Sequence, residues 1–186
     1  MVRSTEPFDS ILAAMRKAAG ALQQAKVPFL LGGGLACWAR GGPPTDHDVD
    51  FLVRPTDAEA GLEALATAGL ETERPPEHWL LKAYDDGILV DLIFEPSGLR
   101  VDDAMFERAE ELEVHAVRMR VASLDDVMTT KLMALSEQAL DYGSVLEIAR
   151  TLREQIDWAS VREQTHGSPY AKAFFTLVEE LGVAGD

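Results

Sequence analysis

The chain is nearly without cysteine. Cys37 stands alone among 186 residues, so no internal disulfide can form and nothing calls for an oxidising compartment. No apolar run approaches the ~18 residues of a membrane span, and the opening MVRSTEPFDS has no apolar leader segment. A cytoplasmic protein with no membrane partner is the expectation. Basic residues are scarce as well, 17 Lys and Arg against 32 Asp and Glu, a formal net charge of -15. The surplus is spread along the chain rather than gathered in a tail. Such a surface repels a phosphate backbone, whose binding rests on basic patches, so long nucleic acid is not expected as a partner. What is present is an ordinary apolar share, 47%, in 186 residues, enough for one sizeable domain or a domain with a helical appendage.

Apolar periodicity organises the chain. Phe8, Ile11, Leu12, Met15, Ala18, Ala19 and Leu22 recur at helical spacing and predict a helix over about 7–25, with Pro7 in its first turn and Pro28 marking the exit. The run PFLL (28–31) reads as a strand, LACWAR (35–40) as a helix and HDVDFLV (47–53) as a strand, followed by a helix at 57–68. HWLLKAY and ILVDLIF flank Asp85-Asp86-Gly87, which predicts a hairpin over 77–94. LEVHAVRMRV (112–121) reads as one further strand. After residue 122 three helical stripes follow, opened by Ser123 and Asp126 in the spacing of a capping box. The expected fold is α/β (α+β), a mixed sheet flanked by helices over 1–122 and a helical bundle over 123–186.

Asp48 and Asp50 are two apart in a strand, so both carboxylates point to one face, roughly 7 Å apart at the backbone. Val49 and Phe51 point the other way, into a core. Asp91 interrupts Ile88-Leu89-Val90 and Leu92-Ile93-Phe94, where an unpartnered carboxylate carries a large desolvation cost. If the two strands are neighbours, the three carboxylates form an oxygen-rich site suited to Mg²⁺ or Mn²⁺. The alternative is a solvent-facing Asp48 and an Asp91 paired with an arginine. Gly32-Gly33-Gly34 turns a strand into a helix and lets the backbone approach an anion. No Gly-Lys-Ser/Thr follows it, so it is not a Walker loop.

Together these pieces resemble the nucleotidyltransferase superfamily, the fold shared with the catalytic palm of polymerase beta. The resemblance covers about residues 8–95. It rests on Leu31, Gly33-Gly34-Leu35-Ala36, Thr45-Asp46-His47-Asp48-Val49-Asp50 and the later Asp91. It implies that Asp48 and Asp50 hold metal ions, that Asp91 ligates the catalytic ion and activates an acceptor hydroxyl, and that Gly33 and Gly34 contact the triphosphate, with Thr45 in the same motif. The implied reaction moves a nucleoside monophosphate from an NTP to the acceptor with release of pyrophosphate. The tail is similar to that of toxin-like members related to abortive-infection nucleotidyltransferases, through Val121-Ala122-Ser123-Leu124-Asp125-Asp126 and Thr130-Lys131-Leu132. Lys131 is then a candidate phosphate contact. The superfamily resemblance leaves the acceptor open among a small hydroxylated molecule, a protein side chain and a tRNA end; the toxin-like likeness implies the last two, and an antitoxin partner. Two departures are visible: Pro43-Pro44 stands where many relatives carry an arginine, and Leu140 precedes Asp141 where many carry a basic residue.

A catalytically weak or inactive nucleotide-binding module of the same fold is the alternative function, and a dinucleotide-dependent oxidoreductase a third. His47 is expected to face away from the aspartates; His78, His115 and His166 are expected at the surface. Trp38, Trp79 and Trp158 are expected in core packing, with Trp79 the best placed to stack on a base.

Overall fold

The computed structural model describes residues 6–45 and 48–183; the expected orientation of His47 falls outside them. Helix α1, Glu6–Gln24, buries Ile11, Leu12, Met15, Ala18, Ala19 and Leu22, the stripe predicted from its spacing. The chain continues through β1 (Leu30–Leu31), α2 (Gly33–Trp38), β2 (Val49–Leu52), α3 (Ala58–Thr67), β3 (Glu71–Glu73), β4 (Leu80–Asp85) and β5 (Ile88–Ile93). A 3₁₀ turn at Pro96–Gly98 leads to α4 (Asp103–Arg108), β6 (Glu110–Val114) and β7 (Val117–Val121). Helices α5 (Leu124–Ala134), α6 (Tyr142–Leu152), α7 (Trp158–Gln164) and α8 (Pro169–Glu180) complete it.

The strands form one mixed sheet of seven in the order β3-β4-β5-β2-β1-β7-β6. Strand β2 runs parallel to β5 and β1 parallel to β7, while β1 and β2 are antiparallel. That antiparallel step after the glycine turn differs from the parallel β-α-β unit of a dinucleotide fold, which removes the oxidoreductase reading. One face of the sheet is apolar. Val49, Phe51, Val90 and Leu92 are 0% exposed, and Gly61 of α3 lies close enough to Leu92 that an added Cβ would sit 3.1 Å from its Cδ1. Phe51 also meets Phe29 edge-on, ring centroids 5.0 Å apart. The opposite face carries the aspartates.

The hairpin turns at Asp86 (φ 47) and Gly87 (φ 84), the paired positive φ values of a type I′ turn, which suits the twist of its strands. The segment 112–121, expected as one strand, is instead a second hairpin. It turns at His115 (φ 47) and Ala116 (φ 64), without the glycine, asparagine or proline that normally signals such a turn. Helices α4 and α7 are also additional to the sequence reading. Each is too short to show periodicity, yet each carries an aspartate N-cap, Asp102 on Met105 N and Asp157 on Ser160 N.

The capping box at the start of α5 is half made. Ser123 Oγ accepts from Asp126 N at 3.1 Å. The Asp126 carboxylate, one methylene shorter than the usual glutamate, accepts from Ser123 Oγ at 2.7 Å and from Arg108 at 2.7 and 3.1 Å. The network joins α4 to α5. Farther along, Gln155 donates to Arg40 O and Asp157 N donates to Asp125. Among the described residues no helix is long and apolar enough to cross a membrane.

Candidate active site

The parallel register of β2 and β5 places Asp50 directly opposite Asp91. Asp48, two residues before Asp50, points to the same face. One carboxylate oxygen from each of the three lies within 4.8 Å of the others. Two unit charges at that distance repel by about 3 kcal/mol at an effective dielectric near 20. Three ionised carboxylates therefore need cations among them.

Burial makes the repulsion matter. Asp91 is 7% exposed, and its Oδ1 is buried without a hydrogen-bond partner. Burial pushes the Asp91 carboxyl above the ordinary carboxylate range, with the Lys82 ammonium working against it. Burial, reinforced by the charge of Asp48, pushes Asp50 up to about 7. The arginine expected as the alternative partner of Asp91 is not what faces it: Lys82 Nζ lies 3.5 Å from Asp91 Oδ1. A buried oxygen with one long ion pair and no hydrogen bond, three converging carboxylates and an all-oxygen donor set fit a hard divalent cation such as Mg²⁺ or Mn²⁺. The residues that could hold it are Asp48, Asp50 and Asp91.

The glycine turn is built against this cluster. Gly33 has φ +54, and a Cβ there would sit 1.7 Å from Asp50 Oδ2. Gly34 lies under Thr45, where a Cβ would meet Thr45 Cβ and Oγ1 at 2.8 Å. Only glycine allows the backbone this near both side chains. Gly32 N donates to Asp50 O at 2.8 Å, which locks the turn to β2.

Beside the turn lies a cleft of about 280 Å³ lined by Gly34, Thr45, Pro43, Pro44, Lys131 and Asp141, among others. Lys131 is half-buried on α5, its charge is felt at Asp50, and among the described residues it makes no ion pair within 4 Å. Asp141 caps α6 through Ser144 N, a bond that together with the Ser144 hydroxyl holds its carboxyl below the usual range. The structure thus brings Asp48, Asp50, Asp91, Gly33, Gly34, Thr45 and Lys131 to one side of the sheet.

Lys82 escaped the sequence reading. The turn at Asp85-Asp86-Gly87 contained the signal, because pairing Asp85 with Ile88 forces Lys82 opposite Asp91. Trp79 is a correction: it is 40% exposed and lines a groove with His78, Glu95 and Ser97. Trp38 and Trp158 do pack, on Phe8 and Phe175. His78, His115 and His166 are exposed.

A glycine turn, Asp50 on the next strand with Asp48 just before it, and a third carboxylate on a parallel neighbour are the arrangement of a nucleotidyltransferase-type protein. The sequence places it further: residues 11–173 match the model of a nucleotidyl transferase family of unknown function, DUF2204, and the chain belongs to that family. Among curated sequences none matches significantly. The solved structures it is similar to share its fold at low identity. The antibiotic-resistance factor ANT(2'')-Ia in solution superposes with a TM-score of 0.65 at 12% identity, over 94% of this chain and 97% of the other. The same factor in complex with adenylyl-2''-tobramycin gives 0.59 at 14%, over 89% and 97%. A protein of Thermotoga maritima solved as a candidate nucleotidyltransferase gives 0.55 at 20%, over 71% and 86%.

Proposed function

We propose that this protein is a Mg²⁺-dependent nucleotidyltransferase that moves a nucleoside monophosphate from an NTP to a hydroxyl of a small molecule. The observation that carries the reading is the convergence of Asp48, Asp50 and the buried, unsatisfied Asp91 within 4.8 Å beside a glycine turn that leaves no room for a Cβ. A divalent cation held by the three carboxylates would neutralise charge on the α-phosphate and the leaving pyrophosphate. The triphosphate lies along Gly33 and Gly34, with Thr45 beside it and Lys131 as its protein cation. Asp91 accepts the proton of the acceptor hydroxyl. The acceptor oxygen then bonds to the α-phosphorus while the α–β bridging bond breaks, and pyrophosphate leaves with the electron pair. We read residues 1–122 as the catalytic part and 123–186 as the helical part, whose α5 and α6 close the cleft.

The net charge of -15 favours a small acceptor over tRNA, and the structural neighbour bound to adenylyl-2''-tobramycin supports a hydroxylated one. Among the described residues no feature supports the toxin role or an antitoxin partner. A second reading, a nucleotide-binding module with little turnover, is favoured by Pro43-Pro44 and Leu140, which stand where many members of the superfamily it resembles carry cations. Incubation with NTPs labelled at the α- or γ-phosphate, Mg²⁺ and panels of hydroxylated small molecules, aminoglycosides included, separates the two. Transfer of the α-label alone, lost in Asp50→Ala, supports the enzyme. Nucleotide binding with no α-label transfer to any acceptor supports the module.

A further inference from the structure

Lys82 occupies a position that the reaction as described does not use. It sits in mid-β4, in register with Asp91 on β5 and, one strand farther, Asp50 on β2. The three charged residues form a row across the sheet, on the face opposite its apolar core. The Lys82 ammonium lies 3.5 Å from the same Asp91 oxygen that lacks a hydrogen-bond partner, and its side chain is 23% exposed. Its charge is felt at Asp91 and at Asp50. It is therefore already placed as a counter-ion of the cluster.

Resting on the metal reading above, we propose that Lys82 is a positioning residue, an internal cation that holds Asp91 oriented and opposes divalent-ion loading until nucleotide arrives. With Lys82 paired, the fully ionised triad has a net charge of -2 rather than -3. An incoming divalent ion gains attraction from three carboxylates but is repelled by the ammonium beside one of them. The triphosphate adds negative charge on the open side of the ion and offsets that repulsion. Metal and nucleotide affinities then become coupled, and the coupling is reciprocal. Pairing with Lys82 also fixes the rotamer of Asp91, whose oxygen has no other partner to orient it.

This role gives opposite signs in two measurements, which a merely structural lysine cannot do. Removing the charge relieves the repulsion and tightens metal binding in the absence of nucleotide. It also frees the Asp91 carboxylate and slows turnover. A folding defect would weaken both.

The test is calorimetric titration of Mn²⁺ into the wild type, Lys82→Met, Lys82→Arg and Asp50→Ala, each with and without an α,β-methylene NTP analogue. Turnover is measured in parallel as pyrophosphate release. The expected result is that Lys82→Met binds Mn²⁺ alone about three- to tenfold more tightly than the wild type. The analogue then enhances Mn²⁺ affinity less than it does in the wild type, and kcat falls about tenfold or more. Lys82→Arg, which keeps the charge, follows the wild type in Mn²⁺ affinity. If wild type and Asp50→Ala bind Mn²⁺ alike, or neither binds it, the metal reading fails and this inference with it. If Asp50→Ala loses Mn²⁺ while Lys82→Met binds it no more tightly than the wild type, the inference alone is overturned. An unchanged kcat in Lys82→Met overturns the positioning role.

Discussion

Asp50 and Asp91 face each other in register across two parallel strands, and neither is comfortable there as an anion. Burial raises both carboxyls, Asp50 to about 7. Parallel pairing sets the two side chains on one face, so the Asp50–Asp91 pair is a property of sheet topology, and Asp48 joins it from just before β2.

Stability and function oppose each other at Asp50. Without a cation the native state holds a proton on Asp50 up to pH 7, whereas the unfolded chain releases it near the ordinary 3.8. The Asp50 contribution to stability is therefore greatest below pH 4 and falls as pH rises to 7, by about 1.4 kcal/mol per unit at most. Above 7 it is flat. In EDTA, Asp50→Asn is expected to melt about 2–6 °C above the wild type at pH 8 and to lose the steep part of this dependence. Mn²⁺ should raise the wild-type melting temperature and leave the variant unchanged. Melting curves from pH 5 to 8 decide it.

The same proton links metal binding to pH. An ion entering the cluster displaces it, so Mn²⁺ affinity should rise about tenfold per pH unit below 7 and level off above 7. Titration in buffers of different ionisation enthalpy would report the proton released. Affinity independent of pH between 5 and 7 would contradict a protonated Asp50.

Glycine substitutions should divide by surroundings. Gly33→Ala drives a Cβ onto Asp50 Oδ2 at 1.7 Å and should lose Mn²⁺ binding along with several degrees of melting temperature. Gly20→Ala, in α1 with nothing within 4 Å of the new Cβ, should gain about 0.5–1 kcal/mol. Paired melting and titration data on the two variants test this contrast.

Lys131→Met should raise the KM for NTP tenfold or more, as expected for a lost charge-assisted contact of about 1.5–3 kcal/mol. Its Mn²⁺ affinity without nucleotide should not weaken. Steady-state kinetics across NTP concentration would show this; an unchanged KM would remove Lys131 from the phosphate path.

Arg108→Ala tests how the two parts of the chain are joined. Asp126 is 1% exposed and would keep only Ser123 as its side-chain partner, at a cost of about 3 kcal/mol. A single cooperative transition shifted as a whole would mean that 1–122 and 123–186 unfold together. Two separated transitions would mean that they fold apart.

The sequence made the site more legible than the frame around it, for physical reasons. Asp91 within an apolar strand and Asp48 and Asp50 two apart are local signals, and the Asp-Gly turn fixes the 80–93 hairpin. Lys82, which the reading missed, is encoded in the same turn by register. The β6–β7 hairpin was hidden because His115 and Ala116 take positive φ without a residue that favours it. Helices α4 and α7 were hidden because six and seven residues make too few turns for a period to show. Trp79 shares its groove with the 3₁₀ turn at Pro96–Gly98 and the end of α5, neither of which its own neighbourhood announces.

The most direct test of the central claim is crystallographic. Crystals of the protein grown with Mn²⁺ and an α,β-methylene NTP analogue should show an anomalous peak at the manganese edge among Asp48, Asp50 and Asp91, with carboxylate oxygens about 2.0–2.3 Å away. Nucleotide bound with no anomalous peak at the three carboxylates would contradict the account.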